Sequence, residues 1–141
     1  MRKFFVLVSI VLHFHCAGQD RSCIREDLQR IKVPAYLKGL PIADTQSVSF
    51  AYFKNGVELR SANPAAKITG YRVITECPSS DFGHFYVCGA RMDSTDLKRF
   101  LRYITYPQKD LVCWFESINI EVDGRRFLVP GFAVKVDSIS P

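Results

Sequence analysis

Apolar side chains recur at every second position in the C-terminal third of this chain. Leu111, Cys113, Phe115 and Ser117 alternate with Val112, Trp114, Glu116 and Ile118, and Phe132, Val134 and Val136 repeat the pattern. A period of two puts successive side chains on opposite faces of a strand, a demand that no helix meets. Asp123-Gly124 lies between the two runs. That pair favours a primed hairpin turn, closing Leu111 to Val122 onto Arg126 to Pro130. Antiparallel β structure is therefore imposed on this region.

The upstream chain carries the same signal in shorter pieces. Gln46 to Phe53 alternates through Val48, Phe50 and Tyr52, and Asn55-Gly56 predicts a hairpin returning along Val57 to Arg60. Lys67 to Cys77 keeps Tyr71, Val73 and Thr75 in phase, and Phe85 to Cys88 is a short aromatic strand after the loop-like Pro78 to His84. Arg21 to Arg30 has helical spacing at Ile24, Leu28 and Ile31, ended by Pro34, and Lys38-Gly39-Leu40-Pro41 reads as a turn. Asp93 to Ile104 fits two patterns. Leu97, Phe100, Leu101 and Ile104 stand at i, i+3, i+4 and i+7 behind Asp93 and Ser94 as caps, yet they also alternate as a strand. The fold class is mainly β, a small antiparallel sandwich, with the alternative of an α+β domain holding one helix near residues 94–105.

The first eighteen residues set the compartment. Arg2 and Lys3 precede the apolar run Phe4 to Phe14, and Cys16-Ala17-Gly18 supplies small residues for cleavage. This is the order of a secretory signal peptide, and about eleven apolar residues are too few to span a ~30 Å hydrocarbon core. Residues 1–18 are thus expected to be removed, leaving 19–141 as one secreted, extracellular domain with its core in about 33–138. No later run predicts a membrane span. The mature chain keeps seventeen cations and fourteen acids. Its cations are spread, with Lys98-Arg99-Arg102 and Arg125-Arg126 as the small groups, which reads as solvated surface and predicts no nucleic-acid partner.

Four cysteines remain in that domain: Cys23, Cys77, Cys88 and Cys113. An even number in an exported chain predicts two disulfides with three possible pairings. The expected pairing is Cys77 with Cys88, closing a short loop, and Cys23 with Cys113, tying the N-terminal segment to a core strand. No Cys-x-x-Cys occurs, and His84 is the single histidine past the signal, so neither a metal nor a cofactor is expected. Any Ser-His-acid or Cys-His arrangement would have to pass through His84. No Gly-x-Ser-x-Gly elbow, phosphate loop or paired carboxylate accompanies it, which disfavours an enzyme.

A family resemblance rests on three stretches. Ile68-Thr69-Gly70-Tyr71-Arg72-Val73 is similar to the third strand of fibronectin type III domains, and Val48-Ser49-Phe50 to the second-strand Val-Ser-Trp. Pro107 to Asn119 resembles that family's corner and sixth strand, with Leu111 where the corner tyrosine stands. The resemblance implies a fibronectin- or immunoglobulin-like sandwich and leans to a strand over 97–104. Export, disulfide potential and a poor catalytic inventory together predict a noncatalytic extracellular binding or signalling module with an extracellular protein partner. Its candidate contacts are the hairpin tip Asp123, Gly124, Arg125 and Arg126 and the aromatic group Phe82, Phe85 and Tyr86. The alternatives are a secreted α+β inhibitor or effector of a hydrolase, and behind it a small secreted hydrolase or lipid carrier.

Overall fold

The structure, a computed structural model, describes residues 23–76, 83–104 and 111–137. The segment read as a signal peptide, Cys77 and Phe82 lie outside these residues. In chain order the elements are β1 (Ala35–Leu37), β2 (Thr45–Ser49), α1 (Phe50–Lys54), β3 (Leu59–Ser61), β4 (Lys67–Glu76), β5 (Gly83–Cys88), α2 (Ser94–Ile104), β6 (Leu111–Val122), β7 (Arg125–Val129) and β8 (Phe132–Asp137). The protein is mainly β. Its strands form a six-stranded sheet in the order β2-β8-β6-β4-β5, with β7 also on β6, and a separate β1-β3 pair.

The strong alternation becomes β6, β7 and β8. The turn at Asp123 and Gly124 has φ of 50° and 74°, the left-handed pair of a primed turn, and it sets the register Val122 to Arg125. β6 contains one break in phase. Ser117 has φ 47°, and the pairing with β4 skips between Arg72 opposite Glu116 and Gly70 opposite Asn119. This bulge moves the inward parity from Leu111, Cys113 and Phe115 to Ile118 and Ile120, all buried.

One face of the large sheet is packed. Tyr71, Val73, Phe85, Phe115 and Val134 are fully buried there. Phe100 of α2 lies 5.0 Å from Phe53 of α1, 6.4 Å from Phe85 and 6.5 Å from Phe115, ring centre to ring centre, and Phe115 stacks on Phe132 at 5.0 Å. Each such ring contributes about 1.5–3 kcal/mol by leaving water, so this cluster is what holds the helices on the sheet. β1 and β3 add Ala35, Leu37 and Leu59 to the same core.

Three segments differ from their sequence reading. Residues 94–104 are helical, the reading of the α+β alternative and not the strand to which the fibronectin resemblance leans. Asp93 Oδ1 accepts from the Thr95 and Asp96 N–H groups at 2.8 Å each, and Phe100 and Ile104 are buried along the apolar stripe. The alternation over 46–53 stops at Ser49: Phe50 to Lys54 coil into α1, and Gly56 at φ 104° donates to the Phe53 carbonyl as a helix stop. The expected Asn55-Gly56 hairpin is therefore absent. β2 instead runs parallel to β8, so the large sheet is mixed and not antiparallel throughout, and β3 pairs with β1. The segment Arg21 to Arg30, expected as a helix, is no helix from Cys23 on: it bends at 26–28 and forms a strap bonded to the sheet through Arg25, Gln29 and Ile31.

Candidate functional site

The second face of the large sheet points away from both helices, and most of its side chains, though not Ala133, stay in contact with solvent. Across β5, β4, β6 and β8 the register places His84, Ile74, Trp114 and Ala133 in one row, and Tyr86, Arg72 and Glu116 in the next. Trp114 is 37 % exposed and is, with Ile42, one of two exposed large hydrophobic residues among those described. His84 and Lys135 are exposed, while Ile74, Tyr86, Val112, Arg72 and Glu116 are half-buried.

Arg72 organises the charged row. Its guanidinium donates to Glu116 Oε2 at 2.9 Å and lies 3.5 Å from Glu26 Oε1. Glu116 foremost, then Tyr86 through a side-chain hydrogen bond, hold this arginine in its charged form against the opposing effect of burial. Ser117 donates to Glu26 at 3.1 Å, so the residue that creates the bulge also fixes the acid facing Arg72.

Glu26 belongs to the strap, which is tied down at three places. Cys23 is disulfide-bonded to Cys88 at the end of β5. Asn119, fully buried, accepts from the Arg25 N–H at 2.8 Å and donates to the Arg25 carbonyl at 2.9 Å and the Ser117 carbonyl at 3.0 Å. Ile31 and Leu128 close the far end, Ile31 N–H to Leu128 O at 3.0 Å and Leu128 N–H to Gln29 O at 2.9 Å. The strap crosses β4 at Gly70. A Cβ there would meet Ile24 Cγ1 at 2.9 Å and the carbonyl oxygens of Val87 and Cys23 at 3.0 and 3.1 Å, so only glycine lets it pass so close. Between strap, sheet and the β7–β8 turn opens a shallow cleft of about 380 Å³ lined by Arg30, Arg72, Trp114 and Glu116.

Comparison with protein-family models, with curated proteins and with solved structures finds no match for this chain.

The predicted site residues do not gather in one place. Phe85 is fully buried against Phe100 and Tyr103, so it serves packing and offers no contact. Tyr86, one position on, faces the open side. Asp123, Gly124, Arg125 and Arg126 form an exposed tip, with Arg125 over the Phe127 ring at 5.4 Å and Arg126 3.9 Å from Glu121. Nine residues of extended chain separate that tip from Trp114, about 30 Å. His84 stands on β5 and not in a loop, 6.2 Å edge-on from Tyr86. Trp114, Arg72 and Glu116 were not among the predicted contacts. Their signal was parity: once Leu111, Cys113 and Phe115 face the core, Trp114 must face out.

The expected disulfides are corrected. Cys88 takes Cys23 and not Cys77, and Cys113 is a free thiol buried on the packed face, where burial pushes its pKa up to about 12. Cys113 lies on the helix side of the sheet while the strap lies on the other, so Cys23 cannot reach it. Among the described residues, no three His, Cys, Asp or Glu side chains group as metal ligands, and no helix is long and apolar enough to cross a membrane.

Proposed function

We propose that this chain is an exported, noncatalytic binding module that receives an extracellular protein partner on the open face of its large sheet, centred on Trp114. The observation that carries this reading is the exposure of the indole on a rigid β surface, ringed by Tyr86, Ile74 and the Arg72–Glu116 pair. An aromatic anchor beside a salt-bridged arginine–glutamate pair is the composition that interface hot spots favour. The strap supports the same reading, since a disulfide and the Asn119 bonds fix the cleft beside Trp114 before any partner arrives. The space between sheet and helices is filled by the Phe53, Phe85, Phe100 and Phe115 rings, which favours recognition at the surface over carriage of a lipid inside.

Trp114 is the only tryptophan in the chain, so its emission reports directly on this face. The mature protein is used to capture proteins from conditioned medium, and a captured, purified partner is titrated back. Binding should shift the indole emission to the blue, and Trp114→Ala should lose capture while His84→Ala retains it. A partner that binds with unmoved emission and equal affinity for Trp114→Ala would place the contact elsewhere.

A further inference from the structure

The opposite side of the molecule carries a charge excess that the sheet-face reading leaves unused. Around the β1–β3 pair and α1 stand Lys38, Lys54, Arg60 and Arg91, with Glu58 among them. Lys38 Nζ lies 3.0 Å from Glu58 Oε2 and a guanidinium nitrogen of Arg60 2.7 Å from Oε1, so this carboxylate is already doubly paired. Lys38 first, with Arg60 and Arg91, holds its pKa below the usual range. Among the described residues no carboxylate comes within ion-pair distance of Arg91. Its guanidinium rests over Gly56, where a Cβ would sit 3.5 Å from it. Lys54 lies over the Phe50 ring at 5.4 Å and is likewise without an acid.

Two adjoining clefts, of about 390 and 560 Å³, share Asn55, Gly56 and Arg91 and lead from Lys38 past Arg91 to Ser94 at the start of α2. From there α2 continues the charge. Its apolar stripe of half-buried Leu97 and buried Phe100 and Ile104 fixes Lys98, Arg99 and Arg102 on the solvent side, and all three are exposed. This side therefore gathers seven cations against the three acids Glu58, Asp93 and Asp96, a surplus of four, whereas the whole of residues 19–141 has a surplus of three. The other described residues carry eight cations and eight acids and are neutral together. Among the described residues the positive surplus thus lies on the helix side.

We infer that the Arg91 clefts and the outer face of α2 form one binding surface for a linear polymer of sulfate esters, a sulfated polysaccharide. The polysaccharide class rests on the export proposed above, and the anionic chemistry rests on the charge placement alone. Sulfate groups suit a surface that offers separated point charges along a groove. Single-stranded nucleic acid is favoured less, because it needs exposed aromatic platforms for its bases, and Trp114, the exposed aromatic among the described residues, lies on the other face.

The test uses the full mature chain and a heparin dodecasaccharide, with chemically desulfated heparin, single-stranded DNA of matched charge and inorganic sulfate as competitors. The sulfated oligosaccharide should bind at 0.15 M salt, more weakly as salt rises, and the other three should compete poorly. Arg91→Gln should weaken binding about fivefold, the contribution of one basic residue at an anionic surface, and Lys98→Gln/Arg102→Gln about twentyfold. Both Lys98 and Arg102 are exposed, so that double variant should melt like wild type and keep the test open if Arg91→Gln misfolds. Arg125→Gln/Arg126→Gln at the far hairpin should bind normally. Equal binding by the α2 double variant, or DNA bound as tightly as the sulfated chain, would overturn the inference. Because Trp114→Ala should leave heparin binding intact, failure here is distinguishable from failure of the sheet-face proposal.

Discussion

Replacing Asn119 with alanine should release the N-terminal strap while leaving the packed core in place. The side chain is fully buried and makes three hydrogen bonds of 2.8–3.0 Å, two of them closing a ring with the Arg25 backbone as a neighbouring strand would. Each is worth about 1 kcal/mol net, so roughly 3 kcal/mol is at stake. The Arg25 groups sit near the surface and can regain water, whereas the Ser117 carbonyl loses a partner beside the bulge, so the expected loss is about 2–4 kcal/mol. For a domain of this size that corresponds to a fall in Tm of about 10 °C. The Cys23–Cys88 bond still tethers one end, which keeps the effect local. Urea unfolding should give the stability loss, and amide exchange should show lost protection at Arg25, Ile31 and Leu128 with that of β4 and β6 retained. Trypsin should then cut at Arg25, Arg30 or Lys32 before it cuts elsewhere. A loss below about 0.5 kcal/mol with unchanged exchange at Arg25 would show that Asn119 does not hold the strap.

A peptide map of the oxidised protein should join Cys23 to Cys88. Reducing that bond, which closes 65 residues, should cost up to about 4 kcal/mol by loop-closure entropy and expose the strap. Cys113 should resist thiol reagents until the protein unfolds. Its folded pKa of about 12 stands above the ordinary thiol value of ~8.5, so its neutral form contributes stability fully below ~8.5 and progressively less as pH climbs toward 12. Cys113→Ala should cost about 1 kcal/mol at neutral pH and flatten that alkaline decline, measured by urea titration at each pH. Gly131→Ala would put its Cβ 2.5 Å from the Phe115 carbonyl oxygen, so the β7–β8 turn must shift; a stability loss of about 1–3 kcal/mol is expected, and an unchanged Tm would contradict the close approach.

The local alternations by themselves determined the β6–β7 hairpin and the strand character of β8. Asp123-Gly124 needs no distant partner to favour left-handed φ, and Phe132, Val134 and Val136 can be half-buried in only one phase. The mainly β class and the inward parity of β6 as far as Phe115 followed from the same period, and parity alone could have pointed to Trp114. Asp93 and the Leu97–Ile104 stripe likewise contained the helix, but the same letters also spelled a strand. Only the aromatic cavity between Phe53, Phe85 and Phe115, which a helix delivers Phe100 into, decided between them.

The rest was decided by contacts far apart in sequence. The parallel pairing of β2 with β8 joins Val48 to Val136, and no pattern in either strand names its neighbour. Cysteine pairing followed which face of the sheet each thiol reaches: Cys113 points to the helices, while Cys23 rides on the strap over the other side to meet Cys88. The strap's Ile24, Leu28 and Ile31 have helical spacing, yet the backbone groups of Arg25, Gln29 and Ile31 are taken by Asn119 and Leu128, ninety-four residues from Arg25 in the case of Asn119. A local pattern fixes which face of an element is apolar; which other element covers that face is settled only when the whole chain competes for the same buried surface and the same backbone hydrogen bonds.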